Sequence, residues 1–503
     1  MKMKTIYRFL ALTALMLVAC EPEFKNPVDP DNVDVTSGSA DFSVYVAVGN
    51  SLSAGYMNGT LYKSGQDYSF PKLLADRMKE AGGGEFTQPY MDDDTKDVGG
   101  MMMGNLQILP PKLVVDAGDK AVERINEQPT MTLEPHPGPY NNMGVPAAKI
   151  YHYVFNGYGN IANMATGTAN PYFVRMASSP NASVFEDVLA QHPTFFTLWL
   201  GNNDVLWYAT SGGAGTDQTG NTDPSTYGPN DLTDPGVFAY IYNQMLQALT
   251  AGGAKGVLAT IPDVASIPYM TTVPYNPVPL DQATADALNQ AYAQYNGALQ
   301  QALAGGLITQ DEATRRTIHF QAGKNAVVLV DEDLTDLTAL NIPSLRQATA
   351  DDLLPLTAAS VIGQPDPNNP NLVMGVTSPL GDEYVLTADE TTKVRTVTAQ
   401  YNATIRALAQ QYDLAVADMA AALDELAAGL RLDDNSIYTA NYFSGIETLP
   451  NLFFSLDGVH PNRKGYVILA NRFIDAINAK YGSTLRKYDP GYFDTNISIL
   501  PHN

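Results

Sequence analysis

Val44-Tyr45-Val46-Ala47-Val48-Gly49-Asn50-Ser51 is a short apolar, β-branched run that stops at a glycine and delivers a serine. A strand buried on both faces reads as a continuous apolar run, so this stretch predicts an interior strand ending in a turn. Further runs repeat the theme: Phe195–Leu200 closed by Gly201, Gly256–Ile261 closed by Pro262, and Val327–Val330. Helical spacing lies between and after them. Leu288, Tyr292, Tyr295, Leu299 and Leu303 step by three or four residues, as do Val394, Val397, Tyr401, Ile405, Leu408 and Tyr412. Pro71–Ala81 reads as a helix stopped by Gly82-Gly83-Gly84, and Arg463–Lys480 as the last helix. Apolar runs alternating with amphipathic helices predict an α/β protein with a mainly parallel sheet.

The 503 residues carry a formal net charge of −24 and are 45% hydrophobic. Such a chain can bury a sizeable core. Its acidity argues against nucleic-acid binding, which needs a basic surface, and against docking on anionic lipid. The lone cysteine, Cys20, excludes an intrachain disulfide. Lys2, Lys4 and Arg8 form a positive start, Phe9–Val18 is apolar but too short to span a bilayer, and Leu17-Val18-Ala19-Cys20 resembles a bacterial lipobox. The expectation is a signal peptide over 1–19, lipidation at Cys20 and a polar tether over 20–40. That implies export and lipid anchoring in the bacterial cell envelope, at the outer membrane on its periplasmic or surface face. A body is expected over 41–480 and a tail over 481–503, with long stretches at about 85–140, 209–235 and 306–385 read as insertions.

Four short segments carry candidate chemistry. Gly49-Asn50-Ser51-Leu52 puts a serine just past a strand, where an Oγ is held out at the carboxyl edge of a sheet. Its flanks are not G-x-S-x-G. Asn142-Met143-Gly144-Val145-Pro146-Ala147 contains a glycine, which lets a backbone N–H approach a ligand. Gly201-Asn202-Asn203-Asp204 follows the second apolar run and offers a side-chain amide to a developing oxyanion. In Asp457-Gly458-Val459-His460-Pro461, the carboxylate can accept from the imidazole Nδ1–H and leave Nε2 as a base. Each alone reads equally well as an ordinary turn.

Together, and in this order, the four segments resemble the conserved blocks of the SGNH/GDSL hydrolase family, over about Phe42 to Lys480. Asn50 stands where that family has Asp, and Ala147 where a second glycine is common. The resemblance implies a three-layer α/β/α flavodoxin-like fold and acyl-ester hydrolysis without a cofactor or metal. It implies Ser51 as nucleophile, His460 as general base and then acid, and Asp457 as its orienter. The Ser51 and Gly144 backbone N–H groups and the Asn203 amide would hold the oxyanion.

Other signals are weaker. Asp92-Asp93-Asp94 lacks EF-hand spacing, and His136, His152, His192, His319 and His502 show no metal-ligand spacing. Met101-Met102-Met103 suits either an acyl chain or core packing. The expected substrate is a small-molecule or glycan ester, with acetyl or short acyl groups on a carbohydrate favoured because Trp207 and Tyr208, beside a polar loop, could stack on a sugar. The alternatives are a lipase-like esterase for longer chains and a non-catalytic, surface-anchored glycan-binding lipoprotein. Oligomeric state is not legible.

Overall fold

The computed structural model describes residues 34–91, 96–432 and 435–501. The expected signal peptide, Cys20, most of the expected tether, the Asp92–Asp94 run and His502 lie outside these residues.

Five strands form one parallel sheet: β1 Tyr45–Gly49, β2 Asn142–Gly144, β3 Phe195–Trp199, β4 Lys255–Ala259 and β5 Ala415–Ala417. Their order is β2-β1-β3-β4-β5. The chain thus steps one way from β1 to β2 and the other way from β3 onward. Gly49 lies opposite Gly144 on one side and Trp199 on the other, so the carboxyl ends of β2, β1 and β3 finish level. Ligands of open parallel sheets bind where the winding direction reverses, outside these ends.

The principal helices are α1 Ser51–Ala54, α2 Phe70–Glu80, α3 Asn202–Thr210, α4 Pro235–Thr250, α5 Gln282–Ala304, α6 Ala388–Gln411, α7 Met419–Ala428 and α8 Arg463–Tyr481. Every residue of β1 and β3 is buried, so helices cover both faces of the sheet. Phe195 and Trp199 point to the face of α2 and α8. Trp199 packs edge-on against Phe70 and Phe473, with ring centroids 5.6 and 5.9 Å apart, and Phe195 meets Tyr481 at 5.7 Å. The other face carries α4 and α6, joined by a Phe238–Tyr401 stack at 4.1 Å. The helix stops are local. Pro71 opens α2 and Gly82 (φ +86°) follows its end, while Asn462 caps α8 through Gly465 N–H and Gly482 terminates it in the left-handed region.

The expected parallel α/β architecture is present, with changes in membership. Val328–Val330 is not in the main sheet. It pairs antiparallel with Leu345–Gln347 in a separate cluster that includes Val278, Leu288, Phe320, Leu354 and Leu380. Helix α5 buries Ala285 and Leu288 in that same cluster, so this added substructure starts well before residue 306. An apolar run states that a strand is buried but not which sheet buries it. The strands that complete the main sheet, β2 and β5, are three residues each, too short to show as runs. The compact unit begins at Thr36 and takes in described residues on both sides of the expected body. Ser39 N–H donates to Tyr481 O at 2.8 Å, and Ile499–Leu500 pairs with Leu113–Asp116.

Candidate active site

Ser51 is the first residue of α1, immediately after β1. Asn50 caps that helix by accepting from Leu52 N–H at 3.2 Å, a role in which the amide oxygen replaces the carboxylate of the family pattern. The cap leaves Ser51 N–H at an open helix start, donating to no acceptor among the described residues.

His460 and Asp457 reach this point from the loop that enters α8. His460 Nε2 is 2.8 Å from Ser51 Oγ, and His460 Nδ1 is 3.0 Å from Asp457 Oδ2. The three residues are thus brought into one hydrogen-bonded relay across more than 400 positions of sequence. Asp457 is heavily solvated by the protein. Its Oδ1 accepts from His460 N–H at 2.8 Å, Val459 N–H at 2.9 Å and Ser455 Oγ at 3.1 Å, and its Oδ2 accepts from Gly59 N–H at 3.0 Å. Burial alone would raise the Asp457 carboxyl; the charge of His460 and these hydrogen bonds outweigh it and hold the group near about 2. It is therefore a carboxylate throughout the neutral range.

The segment behind α1 locks this loop. Asn58 N–H donates to Ser455 Oγ at 2.9 Å, and Asn58 Oδ1 accepts from Leu456 N–H at 3.1 Å. The Tyr56 ring lies against His460 with centroids 4.6 Å apart. Tyr56, Asn58, Gly59 and Ser455 were not singled out in the sequence. Tyr56, Asn58 and Gly59 stand close to Ser51 in sequence and Ser455 close to Asp457, but their partners in the other segment lie about 400 residues away.

The proposed oxyanion donors divide. Gly144 ends β2 beside Ala54, so close that a Cβ would stand 2.5 Å from Ala54 N. Its N–H donates to Asn142 Oδ1 at 3.0 Å, within its own loop. Three residues on, Ala147 sits at φ +67°, and its N–H donates to no acceptor among the described residues. Asn203 is buried at the start of α3 and gives one amide N–H to Ala148 O at 2.9 Å, leaving the second. Its neighbour Asn202, also buried, has no partner for either amide atom. Gly201 permits this arrangement: at φ +106° it turns the chain into α3 where a Cβ would strike Ile261 and Phe238. Asp204 faces the other way and accepts from Ile150 N–H at 3.1 Å and Thr233 Oγ1 at 2.7 Å, tying α3 to the loop after β2.

Asn50, Ser51, Asn202, Asn203 and His460 together line a cleft of about 660 Å³, open mouth included. The other lining side chains are apolar. Trp207 is partly exposed and Tyr208 buried, and neither lines this cleft; Met101 is buried in a different cluster with Leu61, Met91 and Tyr172. His152 is half-buried, its pKa is pushed down to about 3 by burial and by Lys149, and it accepts from Lys149 N–H within its own loop. Among the described residues, the acidic side chains close enough to share a cation are Glu332, Asp382 and Glu390, with oxygens within 4.8 Å of one another, and none of them lines the cleft. No helix among the described residues is long and apolar enough to cross a membrane.

The chain matches no protein-family model, no curated protein and no solved structure.

Proposed function

We propose that this chain is a serine ester hydrolase of the SGNH/GDSL type, built on a three-layer α/β/α flavodoxin-like fold. The strand order β2-β1-β3-β4-β5 favours that fold, since it is the flavodoxin-like winding with its reversal between β1 and β3. The observation that carries the reading is the relay from Ser51 Oγ to His460 Nε2 at 2.8 Å and from His460 Nδ1 to Asp457 at 3.0 Å, at the wall of a cleft. A glycan-binding lipoprotein would need none of it.

In the proposed reaction His460 Nε2 takes the Ser51 proton as Oγ bonds to the ester carbonyl carbon. The oxyanion is met by the Ser51 N–H and by the free amide hydrogen of Asn203, with Ala147 N–H replacing Gly144 N–H as the third donor. Collapse breaks the bond to the alcohol oxygen, which leaves with the proton from His460. Water then repeats the sequence on the acyl-enzyme and releases the acid.

The test is a fluorophosphonate probe with mass mapping, run beside hydrolysis of a chromogenic ester. Labelling at Ser51 is expected, together with loss of turnover by several orders of magnitude in Ser51→Ala. A folded Ser51→Ala protein with wild-type turnover sinks the reading.

A further inference from the structure

We infer that the cleft beside Ser51 is an acyl-chain pocket, so that the substrates are esters of medium or longer aliphatic acids; this rests on the esterase reading above. The polar side chains of the cleft are Asn50, Ser51, Asn202, Asn203 and His460, the groups already placed around the reacting carbonyl. Everything else that lines it is apolar, most of it contributed by the turns after β4, by α7 and by the approach to α8, with Leu52, Trp199, Leu206 and Leu469 completing the lining. Val264, Ile267, Met419, Leu423, Leu426 and Phe453 form its walls, and all six are at most 5% exposed. They border the cleft with the small part of their surface that neighbouring side chains leave uncovered.

Two physical arguments follow. An apolar void costs a folded protein stability unless something fills it, and it stays dry. A sugar placed inside would bury hydroxyls with no donor or acceptor on the walls, a loss for each unpaired group. A hydrocarbon chain meets neither penalty and gains with each methylene removed from water. A sugar remains compatible with this site as the leaving alcohol outside the cleft. Trp207 and Tyr208, expected as a stacking platform for a sugar, do not line the cleft and so give no reason to place a sugar inside it.

The experiment measures kcat/KM for p-nitrophenyl esters from acetate to dodecanoate, kept monomeric in solution. It adds a second series of acetate esters with lengthening alcohols, and calorimetric binding of decanoate to the full protein. The expected result is a rise of roughly three- to fourfold per acyl methylene until the cleft is full, a flat alcohol series, and measurable decanoate binding. Ala422→Trp, which puts an indole into the cleft, is expected to lower the ratio of octanoate to acetate kcat/KM at least tenfold. That ratio is read on one sample, so partial misfolding does not mimic it. Hydrolysis of acetate with Ser51 labelling, but no gain with acyl length and no decanoate binding, overturns the pocket and leaves the esterase standing. A gain along the alcohol series alone also overturns it. Decanoate binding with no labelling and no hydrolysis overturns the esterase and keeps the apolar site.

Discussion

Asn202 and Asn203 are neighbours with different debts to the fold. Asn203 holds the Ala148 carbonyl at 2.9 Å, whereas neither amide atom of Asn202 has a partner. Asn203→Ala is therefore expected to lower kcat on the order of one hundred- to one thousand-fold by removing an oxyanion donor. It should also cost about 1–3 kcal/mol of stability, because a buried carbonyl loses its bond. Asn202→Ala should leave the melting temperature unchanged and raise KM up to roughly tenfold, as expected of a lost ground-state hydrogen bond. Steady-state kinetics beside thermal melts check both, and a melting loss in Asn202→Ala would mean that its amide serves the fold after all.

At the scale of elements, the loop from β2 to residue 150 shows where chain geometry and residue choice conflict. Ala147 occupies the left-handed region at φ +67° and is exposed, where a side chain carries a backbone penalty and glycine carries none. Ala147→Gly should stabilise the protein by about 1 kcal/mol, a rise of roughly 1–2 °C in Tm, checked by thermal melts. A drop in Tm would mean that the added freedom of the unfolded glycine chain outweighs the relieved strain. The same loop holds two backbone N–H groups in different states. Gly144 was the visible glycine, but its N–H is taken by Asn142, and the unpaired N–H belongs to a residue whose backbone angle no composition reveals.

For the whole molecule, charge sets the next expectations. Burial pushes Glu390 up to about 7, with Glu332 and Asp382 adding to it and hydrogen bonds from Thr387 opposing. Asp382 is raised to about 6, by burial first and then by Glu332 and its other acidic neighbours. The folded state therefore holds protons that the unfolded chain releases. Between about 4.5 and about 7 the slope is negative: stability gained at low pH is lost as pH rises through the folded values. Glu390→Gln keeps an acceptor for Thr387 but removes the charge. It should raise Tm at pH 8 in the presence of chelator and make little difference at pH 4.5, checked by melts across that range. The resemblance of Leu17–Cys20 to a lipobox makes a separate expectation: Cys20→Ala in the full-length precursor should release the protein from the membrane fraction, and continued membrane association would mean another segment anchors it.

What the sequence determined alone was whatever is written in neighbouring residues. A buried strand shows as Tyr45–Gly49, a helix boundary as Pro71 and Gly82, and a carboxylate–imidazole pair as Asp457 and His460 within one turn. These are local properties, governed by backbone sterics and side-chain period. Tertiary structure decided everything that depends on which surfaces meet. It sent Val328–Val330 to an antiparallel pair outside the main sheet, completed that sheet with three-residue strands too short to stand out, and brought Asn58 and Gly59 to hold a loop some 400 residues away. It also assembled α7 and the turns after β4 into an apolar cleft beside Ser51. No local pattern encodes such a cleft, because its walls are the same buried side chains a closed core would use, and which of them border open space is set by how distant segments pack.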